Sequence, residues 1–120
     1  MHELSIAQGI LDIVREHVPE GQSAGVRNVE VRVGRMSGVV PESLEFCFEA
    51  LVLDSPFHRA RLAIENIPVR CTCRRCAAEF EIDDPIFLCR ECGSGDVHVS
   101  SGTELEVVQI ELDDSLSEVP

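Results

Sequence analysis

The chain has 120 residues, of which 44% are hydrophobic, and a formal net charge of −12. This length is enough for one modest hydrophobic core and a small metal-stabilised unit. The negative charge argues against nucleic acids and anionic membranes as partners, because both are bound through clustered basic side chains.

All ten basic residues are arginines, and the chain has no lysine. A lysine-dependent phosphate loop, a Schiff-base mechanism and a kinase-type site are therefore excluded. The sequence also lacks a G-x-S-x-G, an H-E-x-x-H and a glycine-rich dinucleotide turn. We expect a protein that is not an enzyme, in which any nucleotide-driven step belongs to a partner.

The first predicted element is a helix from Leu4 to Val18, which Pro19 and Gly21 end. Its apolar residues recur at helical spacing. They are Leu4, Ala7, Leu11, Val14 and Val18, with Ile6, Ile10 and Ile13 beside them. Because this helix begins almost at the first residue, it anchors the amino terminus.

Alternation and proline predict the next two elements. Val29, Val31 and Val33 alternate with polar residues, which is typical of a half-buried strand. Pro41 favours the first turn of a second helix. The predicted buried positions of this helix are Leu44, Cys47, Phe48, Leu51 and Val52. We interpret Cys47 as a small apolar core residue.

Two more strands are predicted on either side of a cysteine-rich segment. Leu62 and Ile64 alternate with polar or small residues, and Pro68 closes their strand. The last strand runs from Glu104 to Leu112, where a shift in apolar phase indicates either a bulge or a centre buried on both faces. The acidic tail, residues 113–120, is expected to fray.

The cysteine-rich segment contains two Cys-x-x-Cys pairs, Cys73/Cys76 and Cys89/Cys92, separated by twelve residues. Each pair turns back and aims two thiolates at one point, which favours a closed, structural zinc site. Gly93 follows the last ligand, where a positive φ is expected. The arginines that offset the negative charge of such a centre are Arg74, Arg75 and Arg90.

Three alternatives to zinc remain open from the residues alone: two disulfides, a redox Cys-x-x-Cys, and iron in a rubredoxin-like site. Cys71 competes as a ligand with Cys73, although we interpret it as a strand or hinge residue. Six cysteines without a signal peptide indicate a reducing compartment, and no apolar run approaches the ~20 residues that span a bilayer. We therefore expect a cytoplasmic protein.

The first three residues, Met1, His2 and Glu3, form a candidate metal site. The α-amine of Met1, the amide nitrogen of His2 and its imidazole can close two chelate rings on one ion. Nitrogen donors in a plane suit Ni(II) or Cu(II). Glu3 can add an amide or a carboxylate. The alternative is that His2 is only a solvated residue near the chain start.

The other three histidines are interpreted in different ways. His17 lies near a helix carboxyl end, which suits a structural role, and His58 is interpreted as a surface residue. His98 follows the cysteine segment by six residues. It is a candidate additional ligand for the same ion as His2 if the two parts of the molecule close on each other.

Four motifs in this order resemble the HypA/HybF family, the nickel-insertion accessory proteins of [NiFe]-hydrogenase maturation. They are Met1-His2-Glu3-Leu4-Ser5-Ile6-Ala7, Val33-Gly34-Arg35-Met36-Ser37-Gly38-Val39, Pro41-Glu42-Ser43-Leu44-Glu45-Phe46-Cys47-Phe48-Glu49-Ala50, and the paired Cys-x-x-Cys. The resemblance covers nearly the whole chain. It implies an α+β fold, with a small mixed three-stranded sheet, two helices and an inserted zinc-ribbon-like domain. The expected domains are residues 1–69 with 102–120, which bind nickel, and residues 70–101, which bind zinc.

The resemblance also implies roles and partners. His2 becomes the nickel ligand, and Cys73, Cys76, Cys89 and Cys92 become the zinc ligands. The implied partners are the GTPase HypB, the hydrogenase large-subunit precursor and, in some relatives, urease maturation proteins. Two other classes compete with this interpretation: a zinc-ribbon module that binds proteins or nucleic acid without nickel, and a rubredoxin-like electron carrier. The charge of −12 weighs against nucleic acid.

Overall fold

A computed structural model describes residues 2–113 of the chain. Its elements are α1 (Glu3–His17), β1 (Val26–Gly34), α2 (Pro41–Leu53), β2 (Arg61–Ile67), β3 (Val69–Cys73), β4 (Glu79–Ile82), β5 (Val97–Ser101) and β6 (Leu105–Leu112). A 3-10 turn at Ser23–Gly25 precedes β1. Neither helix of this range is long and apolar enough to cross a membrane.

The first sheet has the strand order β2-β1-β6, with β1 parallel to β2 and antiparallel to β6. Two parallel neighbours need a crossover, and α2 provides it. The alternating valines of β1, Val29, Val31 and Val33, are buried in the core that the sheet shares with the helices. The predicted mixed sheet with two helices is confirmed.

The buried face of α1 is narrower than predicted. Ala7, Ile10, Leu11 and Val14 enter the core at the spacing of a single helical face. Leu4 and Ile13 were expected beside them, but 57% and 39% of their surfaces are exposed. On α2 the predicted positions are correct: Leu44, Phe48 and Val52 are buried, and Cys47 and Leu51 pack partly against the same core.

The phase shift in the last strand is a bulge. Glu30 of β1 pairs with Gln109, whereas the next residue, Val31, pairs with Val107, so Val108 is the extra residue of β6. Its side chain is 43% exposed, which rules out a centre buried on both faces.

The beginning of the predicted frayed tail is held in place. The Asp113 amide donates to the Gly25 carbonyl at 2.6 Å. The Asp113 carboxylate lies 3.1 Å from the Arg27 guanidinium and 3.6 Å from that of Arg59. The prediction of fraying is therefore wrong for Asp113, and residues 114–120 lie outside the described part of the chain.

The second sheet is antiparallel, with the order β4-β3-β5. It has a small core of its own, made of Val69, Cys71, Cys73, Phe80, Ile82 and Cys89. Cys71 therefore faces a hydrophobic core, as an ordinary strand residue does. This sheet and the cysteine loops form the ribbon, a name used below for residues 69–101. The domain limits that we expected, 70 and 101, remain a prediction.

Two segments of the chain connect the sheets, and both contact the end of β1. The Met36 amide donates to the Gly102 carbonyl at 2.7 Å, and the Arg35 amide to the Ile67 carbonyl at 3.0 Å. A Cβ added to Gly34 would overlap the Gly102 carbonyl, and one added to Gly102 would lie 2.7 Å from Cγ2 of Val69. Only a residue without a side chain fits at this crossing.

We predict that Gly34→Ala destabilises the protein by about 3 kcal/mol, because the added methyl group meets backbone that cannot move freely. Gly9→Ala is the matched control. Its Cβ would meet nothing within 4 Å inside α1, so it should stabilise the protein by about 1 kcal/mol through helix propensity. Urea unfolding followed by circular dichroism measures both changes. A Gly34→Ala variant as stable as the parent would contradict the tight crossing.

Candidate metal centre

The ribbon brings the four predicted cysteines together. The sulfurs of Cys73, Cys76, Cys89 and Cys92 all lie within 4.8 Å of one another. The Cys73–Cys92 and Cys76–Cys89 sulfur distances are 3.7 Å and 3.5 Å. A tetrahedral zinc ion with Zn–S bonds of about 2.3 Å places its sulfurs about 3.8 Å apart. The cluster is consistent with structural zinc.

The two Cys-x-x-Cys turns have the same backbone hydrogen bonds. The amide four residues after the first cysteine returns to its carbonyl in both turns, Ala77 to Cys73 and Gly93 to Cys89, each at 2.9 Å. The φ angle at these equivalent positions is positive, 66° at Ala77 and 76° at Gly93. The positive φ was expected only at Gly93. Because Ala77 holds the same position in the first turn as Gly93 does in the second, the repeated Cys-x-x-Cys motif could have predicted its positive φ.

Backbone amides surround the first sulfur of each turn. The Arg75 amide donates to the Cys73 sulfur at 3.4 Å, and the Glu91 and Cys92 amides donate to the Cys89 sulfur at 3.4 Å and 3.5 Å. Hydrogen bonds to a thiolate favour its charged form. Those from the Cys92 and Glu91 amides lower the pKa of Cys89 to about 7, and those from the Cys76 and Arg75 amides lower the pKa of Cys73.

The second sulfur of each turn resists ionisation. The Ala78 amide favours the Cys76 thiolate, but hydrogen bonding to Cys89 and burial outweigh it and raise the pKa of Cys76 to about 12. The pKa of Cys92 is raised as well: the Ser94 amide opposes the shift, and burial and the Cys73 sulfur cause it. Without a cation the cluster keeps protons on two sulfurs, and a bound divalent metal displaces them.

The arginines near the cluster offset its negative charge less directly than the sequence predicted. Arg74 forms an ion pair with Asp96 at 3.2 Å, and its side chain is 58% exposed. The Asp96 carboxylate thus partly neutralises the Arg74 charge, which weakens its effect on the sulfurs. Arg75 lines the open side of the cluster. The described structure gives Arg90 no contact with a sulfur.

The candidate nickel site begins at an exposed His2. This residue is the N-cap of α1, and its carbonyl accepts the Ile6 amide at 3.0 Å. Met1, whose amine belongs to the same prediction, lies outside the described residues. The helix therefore starts directly at the candidate ligand, and the first turn fixes the His2 backbone.

Glu3 is buried, with 6% of its surface exposed. Its carboxylate accepts the Val40 amide at 3.2 Å, at the amino end of α2 where negative charge is favoured. The pKa of Glu3 is lowered to about 2, first by the α-amino group two residues earlier in the chain and then by the Val40 amide. The link between Glu3 and Val40 could not be found from the sequence, because 37 residues separate them.

The other histidines lie apart from these groups. His98 is exposed on β5 opposite Thr72, and within residues 2–113 it joins no group of three or more potential metal-binding side chains. Its role as a nickel ligand stays a prediction. His17 Nδ1 lies 2.8 Å from the Ile13 carbonyl, which suits a structural role. His58 is exposed in a turn before β2.

Residues 1–112 match the family model described as "Hydrogenase/urease nickel incorporation, metallochaperone, hypA". Among similar proteins, hydrogenase maturation factor HypA of Desulfosudis oleivorans is 42% identical over 113 residues, covering 93% of this chain and 98% of the relative. The protein of the same name from Streptomyces avermitilis is 39% identical over 116 residues, covering 95% and 88%.

Two solved structures share the fold. One is the solution structure of the nickel metallochaperone HypA from Helicobacter pylori, with a TM-score of 0.63, 24% identity, and coverage of 94% of this chain and 98% of that one. The other, a solution structure of HypA protein, has a TM-score of 0.66 and 24% identity and covers 93% and 96%. At this identity the likeness supports the fold alone.

The equivalence of the two turns gives a paired prediction. Ala77→Gly should stabilise the ribbon by about 1 kcal/mol, because the left-handed backbone conformation is strained for alanine, whereas glycine adopts it freely. Gly93→Ala should destabilise it by a similar amount, since its Cβ would meet nothing within 4 Å and only the backbone term remains. Thermal unfolding of the metal-loaded variants measures both. Shifts of the same sign in both would contradict the equivalence of the turns.

Proposed function

The chain belongs to the HypA family of nickel metallochaperones for hydrogenase maturation, and from this premise we propose that it carries one Ni(II) ion at its amino terminus. It delivers that ion, with a GTPase partner, to the large subunit of a [NiFe]-hydrogenase. The family consists of metal carriers and not of enzymes. The competing zinc-ribbon module and electron carrier lose their support with this assignment.

The observation that carries the nickel site is the position of His2. It is exposed, and it is the cap residue from which α1 starts. The first amides of a helix have no carbonyl of that helix to bond to, so the helix does not require the amide nitrogens of His2 and Glu3. The first turn fixes the His2 backbone and leaves these nitrogens outside the hydrogen bonds of the helix. The Met1 amine and the His2 imidazole complete a nitrogen set of the kind Ni(II) favours.

The surroundings of Glu3 decide between the two donors that it offers. Its carboxylate already accepts the Val40 amide and ties α1 to α2. We therefore give its carboxylate a supporting role and assign the backbone nitrogen of Glu3 to the nickel site, which it joins once it has given up the proton that the same carboxylate accepts in a hydrogen bond. His98 remains a possible additional ligand, which reaches the ion only if the ribbon approaches the helices.

Zinc is proposed as the resident ion of the four cysteines. A ribbon whose core has six residues, three of them cysteines, buries too little apolar surface to fold without a metal. Sulfur donors select zinc, whereas nitrogen donors in a plane select nickel, so the two ions are kept apart by ligand type.

The partners follow from the family and from the missing lysine. The GTPase HypB supplies the nucleotide-driven step that this chain has no residues to perform. The receiving protein is the hydrogenase large-subunit precursor, and urease maturation proteins are further candidates because the family model names urease. We place these encounters in the cytoplasm.

The nickel site is tested by calorimetric titration with Ni(II). His2→Ala should weaken binding by roughly 100-fold, about 2.7 kcal/mol, because one chelate ring is lost. Adding one residue before Met1 should weaken it similarly, since the amine is displaced. His17→Ala, at the other end of the same helix, is the control and should bind as the parent does. Unchanged affinity in the first two variants would eliminate the amino-terminal site.

The role of zinc is tested by its removal. After a strong chelator has extracted the metal, amide NMR signals of residues 69–101 should lose their dispersion, while those of α1, α2 and β1 keep theirs, because the two cores are separate. Loss of the helical signals at the same chelator concentration would show that zinc stabilises the whole fold. Unchanged ribbon signals would contradict its structural role.

A further inference from the structure

Each cysteine turn has one buried and one exposed cysteine. Cys73 and Cys89 are 1% and 3% exposed, whereas Cys76 and Cys92 are exposed. The difference follows from the strands. Cys73 ends β3 on the side of Val69 and Cys71, which faces the ribbon core, and Cys89 packs into that core. The second cysteine of each turn comes after the chain has reversed.

The two exposed cysteines line one open pocket. It is lined by Arg75, Cys76, Cys92, Gly93 and Ser94. Arg75 is exposed, and within residues 2–113 its guanidinium forms no ion pair, unlike that of its neighbour Arg74. The pocket therefore places a positive charge beside two exposed cysteines.

We propose that this pocket is a reaction site for hydroperoxides, at which Cys76 and Cys92 are oxidised before the other cysteines and zinc is released. The inference rests on the proposed zinc occupancy of the cluster. Small oxidants react with thiolates that they can reach. Cys73 and Cys89 have the same metal contact but are covered by the core and by the amides of their turns, so the accessible pair reacts first.

The chemistry balances with hydrogen peroxide as the only oxidant. An exposed thiolate attacks one peroxide oxygen, the O–O bond breaks, and the sulfur becomes a sulfenic acid while hydroxide leaves. The Arg75 guanidinium stabilises the charge that develops on this leaving oxygen. A second thiolate of the cluster then attacks the sulfenic sulfur; an S–S bond forms, the S–O bond breaks, and a second hydroxide leaves. Two cysteines have lost two electrons, peroxide has gained them, and zinc has lost two of its four ligands.

The two remaining cysteines serve as internal standards. Cys71 is buried in the ribbon core, and burial raises its pKa, so it should stay reduced. Cys47 is half-buried on α2, away from the cluster. Its reaction reports the behaviour of a thiol outside the four-cysteine cluster.

The test begins with the full chain and a metal analysis, which must find one zinc per chain. The protein is then treated with less than one equivalent of hydrogen peroxide in the presence of dimedone, which traps sulfenic acids, and the modified cysteines are mapped by mass spectrometry. Modification of Cys76 and Cys92 should exceed that of Cys73 and Cys89 at least tenfold, and a chromogenic chelator should detect zinc in proportion.

Two variants test the part played by Arg75. Arg75→Ala should slow zinc release severalfold. Arg70→Ala is the matched control on the same ribbon, since Arg70 pairs with Glu81 outside the pocket, and it should react at the parent rate. Equal or earlier modification of the buried sulfurs, or an Arg75→Ala variant that reacts like the parent, would overturn the proposal. A protein isolated without zinc would instead overturn the assigned role of the cluster.

Discussion

Four sulfurs within 4.8 Å of one another impose the constraint on which the ribbon depends. The backbone amides of its turn lower the pKa of Cys89 to about 7, whereas hydrogen bonding to Cys89 and burial raise the pKa of Cys76 to about 12. Four negative charges at this separation are subject to strong mutual repulsion outside bulk water. A divalent cation at the centre removes it. The two turns, their positive φ angles and their amide hydrogen bonds all serve to hold the sulfurs at a distance that suits such a cation.

The second constraint is the crossing at Gly34, Gly102 and Val69. The ribbon leaves the first sheet after β2 and returns at β6, and both links pass against the end of β1. The ribbon and the helical part therefore have separate cores but a shared backbone contact. The proposed zinc and nickel sites lie one in each part, so the proposal separates the two ions by sulfur and nitrogen donors within a single continuous chain.

The periodic features of this fold could be predicted from the sequence, whereas the features that depend on contacts between distant segments could not. Three predicted features have a local cause and are confirmed: the alternating valines of β1, Pro41 at the start of α2 and the phase shift at Val108. The second sheet was not predicted strand by strand, because its short strands are interrupted by cysteines and arginines. The Glu3 contact with Val40, and the burial of one cysteine in each turn, arise only when separate segments meet.

The hydrogen bond between Glu3 and Val40 has a consequence for the proposed transfer of nickel. It fastens the first turn of α1 to the start of α2, so the backbone of Glu3 is held in place without an ion. For a carrier of the proposed kind, the residence time of the cargo is then set by the exchange of individual metal–nitrogen bonds, which an incoming protein can replace one after another.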